Sequence, residues 1–138
     1  MVAADEVPLR VRRTYLGAHA VPAGSTPSDQ TTAVVTALSA VATEADHIDV
    51  FCEPHLFDLA LTRPIALAGR EHGLPLKLHA DQLERSGGAR LGAELGALSV
   101  DHLEQIDEAD ARVLGTSDTV ATVLPGPALL LGAGVPPV

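Results

Sequence analysis

Tryptophan is absent, and one tyrosine and two phenylalanines are the only aromatic residues, 2% of the chain. Without rings to stack on bases, and with 9 basic residues against 18 acidic ones, a net charge of −9, nucleic acid and anionic membrane are excluded as partners. The single cysteine, Cys52, cannot close an internal disulfide, so a reducing compartment and a cytoplasmic location are expected. No run of about 18 apolar residues is present, and no charged start followed by an apolar run and a small-residue cleavage site, so neither a membrane span nor a leader is expected. P-loop, Gly-x-Gly-x-x-Gly, His-x-His and Cys-x-x-Cys motifs are also missing, which leaves phosphate and dinucleotide binding without support. What remains is 138 residues at 46% hydrophobic content, enough for one domain with a real core.

Apolar patterning alternates between strand and helix. Arg13–Gly17 reads as a strand, residues 22–29 as a Pro/Gly/Ser loop, and residues 31–45 as a helix, because Ala33, Val34, Ala37, Leu38, Val41 and Ala42 recur at three- and four-residue spacing. Strands are expected again at 48–52, 74–78, 98–100 and 119–124. Helices are expected at 59–72, with Pro64 in the first turn or at a kink, at 88–95, closed by Gly96, and from an Asp107 cap to Leu114. Residues 128–138 are apolar and proline-ended with no evident helix or strand. Strands separated by helices pair in parallel through right-handed crossovers. The fold class is therefore α/β, either a small open sheet or most of a barrel.

Three strand exits deliver a histidine to one face: His19, His79 and His102. The C-terminal ends of strands are where α/β barrels do chemistry, and neutral imidazoles there suit Zn²⁺ or iron. The competing reading of each is a core histidine held by a backbone carbonyl. Asp81 and Asp101 could orient an imidazole or cap the helix that follows. Glu53 stands at a strand exit, where a loop-fixing hydrogen bond is the plainer role. Gln82 can position substrate or water but cannot act as general base. His47 and His72 are expected to be solvated, His55 is undecided, and Cys52 is expected to pack as a small apolar group.

Several blocks then match a known family in order and approximate spacing. They are Thr14–Pro22 (TYLGAHAVP), Asp49–Glu53 (DVFCE), Lys77–Leu83 (LHADQL after Lys77) with Gly87-Gly88, Ala93–Glu104 (AELGALSVDHLE), and Thr119–Ala121 leading to Leu124-Pro125-Gly126. Taken together they resemble imidazolonepropionase, a member of the amidohydrolase superfamily of metal-dependent (β/α)₈ barrels. The resemblance runs from Arg13 to Pro137.

It implies hydrolytic ring opening of 4-imidazolone-5-propanoate to N-formimidoyl-L-glutamate in histidine degradation. It implies that His79 is the metal ligand of the fifth barrel strand, His102 the catalytic histidine of the sixth, and His19 part of the substrate pocket. Gln82 falls where relatives carry Glu or Gln against the water or ring, a catalytic and substrate-binding place. One Zn²⁺ or Fe³⁺ per complete barrel is implied, and a homodimer for the full-length enzyme. The family's first-strand His-x-His pair is absent, and its eighth-strand aspartate would lie beyond Val138. Residues 1–138 are therefore expected to be one partial barrel domain, about strands three to seven, inactive alone. Another amidohydrolase such as a deaminase, or a non-catalytic ligand-binding or interaction domain, are the alternatives.

Overall fold

A computed structural model describes residues 9–137. Five strands alternate with five helices: β1 (Thr14–Ala18), α1 (Pro27–Val41), β2 (His47–Cys52), α2 (Leu59–Glu71), β3 (Leu76–Ala80), α3 (Gly88–Leu95), β4 (Ser99–His102), α4 (Glu108–Gly115), β5 (Val120–Thr122) and α5 (Pro125–Leu131). All strand pairings are parallel, and the sheet order is the sequence order, β1-β2-β3-β4-β5. When every right-handed crossover steps the same way, the helices collect on one side of the sheet. The result is the wall of an incomplete TIM-type barrel, with helices outside and a strand face that would line the interior.

Alternation along each strand sorts the residues between these sides. Ile48, Val50, Cys52, Leu78, Ala80 and Val100 are buried with Leu38, Ile65, Leu91 and Leu114 of the helices. The opposite face carries Asp49, Phe51, Lys77, His79 and Asp101. Close packing of α3 on the sheet depends on Gly92: a Cβ there would lie 2.3 Å from Val100 Cγ2.

Three differences from the sequence reading have local causes. Helix α1 starts at Pro27 rather than residue 31, because Thr26 and Asp29 form a capping box and Pro27 fits the first turn, whose N–H needs no partner. Strands β3 and β4 end two residues later than expected, at Ala80 and His102, so His79 and His102 lie within the ladder rather than beyond it. Pro125-Gly126-Pro127, read as a strand breaker, opens helix α5, which Gly132 closes in the left-handed conformation. Val138 of the stretch read as irregular lies outside the described residues. Pro64 sits inside α2, past its first turn, on the exposed side.

Candidate metal and catalytic site

A β-bulge aims the first histidine. Tyr15 pairs with Ile48 and Ala18 with Val50, so β1 spends one more residue than β2 over the same span. Gly17 sits in this irregular stretch, with the Tyr15 ring lying against it so closely that a Cβ would be 2.4 Å from the ring. After the bulge Ala18 joins Val50 in the core, and His19 falls on the opposite face beside Phe51, its ring stacked at a centroid distance of 6.1 Å.

His79 reaches the same face by plain alternation. Its ring lies 4.9 Å from that of His19 and 5.2 Å from that of His102. His102 gets there differently. Alternation would send it toward the helices with Val100, but its φ of 85° and that of Leu103, 71°, break the pattern at the strand end. A left-handed backbone at two side-chain-bearing residues is strained, and such strain persists only where the surroundings enforce it. Here the fully buried Leu103 donates its N–H to Ala80 O at 3.2 Å and fixes the turn.

Sequence reasoning missed Asp49. Its side chain is 5% exposed, and Oδ1 lies 3.1 Å from His79 Nδ1 and 3.9 Å from His19 Nε2. His19, Asp49 and His79 each offer a ligand atom, and these atoms lie within 4.8 Å of one another. The available signal was a carboxylate two residues before Phe51 in an otherwise apolar buried strand.

Electrostatics separate the three rings. The hydrogen bond that His79 donates to Asp49 raises the proton affinity of the ring above that of an ordinary histidine, against burial and with help from the Asp49 and Asp101 charges. Burial depresses His19, with Asp49 raising and His79 lowering it further. Burial also depresses His102, beyond what the Glu104 charge restores. Several polar atoms at this end of the sheet are buried without a hydrogen-bond partner among the described residues: both His19 nitrogens, Asp101 Oδ1, His102 Nδ1 and Glu104 Oε2. Each such group costs about 1–3 kcal/mol unless something binds it. The nearest approach between the last two residues, His102 Nδ1 to Glu104 Oε1, is 3.6 Å, too long for a hydrogen bond.

The remaining carboxylates build the loop that follows β3. Glu53 accepts the backbone N–H groups of Gln82 at 2.8 Å, Leu83 at 3.1 Å and Glu84 at 3.3 Å, the loop-fixing role expected of it. Gln82 is thus held through its backbone, three residues past His79, and none of the ring contacts above involves it. Asp81, for which two roles were open, is a cap. Its oxygens accept from Ser86 N and Oγ, Gly87 N and Ala89 N, and no imidazole among the described residues hydrogen-bonds to it. Asp81→Ala is expected to lower stability by roughly 2 kcal/mol or more, because three buried-side amides lose their acceptor. Asp81→Asn, which tolerates the φ of 52° and keeps one oxygen, should cost less. Urea denaturation of both variants checks this ordering; equal stability of the alanine variant and wild type would contradict it.

Away from this cluster, His72 is exposed at the end of α2, and His55 is exposed with Nε2 2.9 Å from Glu84 Oε1. His47 is half-buried rather than solvated, with Nδ1 unpartnered. Cys52 is buried in the core, and burial pushes its thiol up to about 11, which makes it inert.

No family model matches the chain. Curated relatives do. A probable imidazolonepropionase of Nematostella vectensis is 38% identical over 98% of this chain and 33% of its own length. An imidazolonepropionase of Methylobacterium sp. (strain 4-46) is 50% identical over 84% of this chain and 30% of its own. A probable imidazolonepropionase of Danio rerio is 41% identical over 94% of this chain and 32% of its own. The chain spans about a third of the length of these relatives. By sequence it is therefore a relative of the imidazolonepropionases, matching them along most of its own length.

Proposed function

We propose that this chain is part of an imidazolonepropionase, which adds water to 4-imidazolone-5-propanoate and opens its ring to N-formimidoyl-L-glutamate in histidine degradation. The observation that carries the reading is the group of three imidazoles with orphaned polar atoms at the strand ends, in a chain 38–50% identical to proteins of that name. On this reading residues 1–138 belong to a single barrel domain of a cytoplasmic homodimer whose partner is a small molecule. No helix among the described residues is long and apolar enough to cross a membrane.

The donor set fits a metal ion. Two imidazoles and a carboxylate converge, and both nitrogens of His19 are buried without a partner. Such nitrogen and oxygen donors suit Zn²⁺ or Fe³⁺ alike. His79 is the residue we assign to hold it. When bound, such an ion supplies Lewis acidity and lowers the pKa of water toward neutrality.

The chain's own residues do the rest. His102, kept neutral by burial, has one nitrogen to donate and one to accept, so it can hydrogen-bond the carbonyl oxygen that gathers charge as water adds. Its accepting nitrogen can take a proton from the water as it adds, and as the ring C–N bond breaks the resulting imidazolium can hand that proton to the departing nitrogen and return to the neutral ring. His19 lines the substrate pocket and orients the ring. Gln82, on the loop anchored by Glu53, positions water or substrate without taking a proton.

In a complete barrel carrying this sequence, His79→Ala should weaken metal binding by at least about tenfold and lower activity in step. Elemental analysis beside a ring-opening assay, followed by loss of imidazolone absorbance, tests both. Full metal retention would remove His79 from the ligand set, and turnover only on a different ring would assign the scaffold to another hydrolase.

A further inference from the structure

We propose that Asp49 is a positioning residue: its carboxylate holds His79 in the tautomer protonated on Nδ1, which leaves the Nε2 lone pair free for the ion. This deepens the function proposed above and rests on its assignment of His79.

The argument starts from what a buried carboxylate needs. Asp49 is 4% exposed, and no lysine or arginine among the described residues pairs with it, although Lys77 is its register partner on β3. Its described polar partners are imidazoles, and only His79 Nδ1, at 3.1 Å, is within hydrogen-bond distance of Oδ1. An ionised carboxylate has lone pairs and no proton to give. The ring nitrogen facing it must carry the hydrogen, or two acceptors would meet in a site sheltered from water.

A neutral imidazole has one N–H, so protonating Nδ1 leaves Nε2 bare. Metal-bound histidines recur with this arrangement, the second nitrogen donating to a carboxylate that fixes tautomer and ring plane. Sheet geometry makes the contact rigid. Asp49 and His79 lie on adjacent paired strands, with Asp49 one same-face step before Phe51, the register partner of His79. The contact is diagonal, between β2 and β3, with neither residue on a loop.

The two roles open to Asp49, ligand and positioning group, differ in what they require. As a ligand its oxygen must face the ion; as a positioning group it is already engaged. The 3.1 Å contact to Nδ1, against 3.9 Å to His19 Nε2, favours the second.

The test reads the tautomer directly from ¹⁵N shifts of His79 in the metal-free 138-residue chain, in solution or in the sedimented solid, at a pH where the ring is neutral. Wild type should favour the Nδ1–H form by at least about tenfold, as expected for a hydrogen bond to a charged acceptor. Asp49→Leu removes the acceptor, and Asp49→Asn offers donor or acceptor equally, so both should shift His79 toward Nε2–H. If the leucine variant does not fold, the near-isosteric asparagine variant decides. A wild-type His79 found as Nε2–H, or an Nδ1–H form unchanged in the folded variants, overturns the proposal. No metal enters this measurement, so its failure is distinct from that of the ligand assignment, which metal retention by His79→Ala would overturn.

Discussion

His102→Ala, made in a complete barrel carrying this sequence, is expected to lower kcat by about a hundredfold or more with metal content unchanged. The size follows from the role: removing a hydrogen-bond donor to a developing oxyanion, or an acid/base group, costs a factor of about 10²–10⁴. Retention of metal follows from the geometry. His102 is not in the His19, Asp49 and His79 group whose ligand atoms converge, although its ring lies 5.2 Å from that of His79. Alanine keeps the φ of 85° but gives up the packing of a buried ring, so some loss of stability is expected. Glycine, which accepts that conformation freely, separates the effects. His102→Gly should recover stability without recovering turnover. Elemental analysis, thermal unfolding and steady-state kinetics on the three proteins check this. Near-normal kcat in either variant would take His102 out of the chemistry, and loss of metal in step with rate would make it a ligand.

How far the site was legible in the sequence depended on whether a residue's role is local. His79 and His102 stand at strand ends, where the βα pattern points to them; alternation carries His79 to its face, but the left-handed backbone that brings His102 there is invisible to periodicity. The histidine at 19 stands at a strand exit, but the bulge between Tyr15 and Ala18 that turns it to the face of His79 is invisible to periodicity. Asp49 was missed because its meaning lies across the sheet: a carboxylate in a buried strand is unreadable until its partner, 30 residues later, is in place. Asp81 shows the converse. Beside a histidine in sequence, it looked as suited to orienting an imidazole as to capping, yet its left-handed backbone and the amides of Ser86, Gly87 and Ala89 commit it to the helix start. For the fold, the regular βα alternation predicts the parallel sheet. The early start of α1 needed the pairing of Thr26 with Asp29, a signal present in the sequence but masked by the prolines and serines around it.

The 138-residue chain on its own should open no measurable imidazolonepropionate and should hold well under one metal ion at micromolar metal. Among the described residues β1 pairs only with β2 and β5 only with β4, so both edges of this sheet offer free backbone donors and acceptors. An eight-stranded barrel has no such edges, and five strands cannot close one. Apolar side chains follow the same logic: Leu16 on β1 is 53% exposed and Val120 on β5 is 60% exposed, at the two ends of the sheet. Edges and apolar surface together favour association between copies. The metal site is short of ligands for a related reason. Of its three convergent donors, Asp49 is engaged with His79 and His19 is given to the substrate, which leaves His79 alone where catalytic zinc sites use three protein ligands and an open position. One ligand holds an ion weakly. Without a firmly held ion, and with no wall among the described residues opposite His102 to enclose substrate, neither polarisation nor orientation is available to the reaction. Purified residues 1–138 can be examined by elemental analysis, by light scattering on a sizing column, and by loss of imidazolone absorbance. Association, little metal and no turnover are expected; a soluble monomer with stoichiometric metal and turnover near that of a full-length relative would show that these five strands suffice.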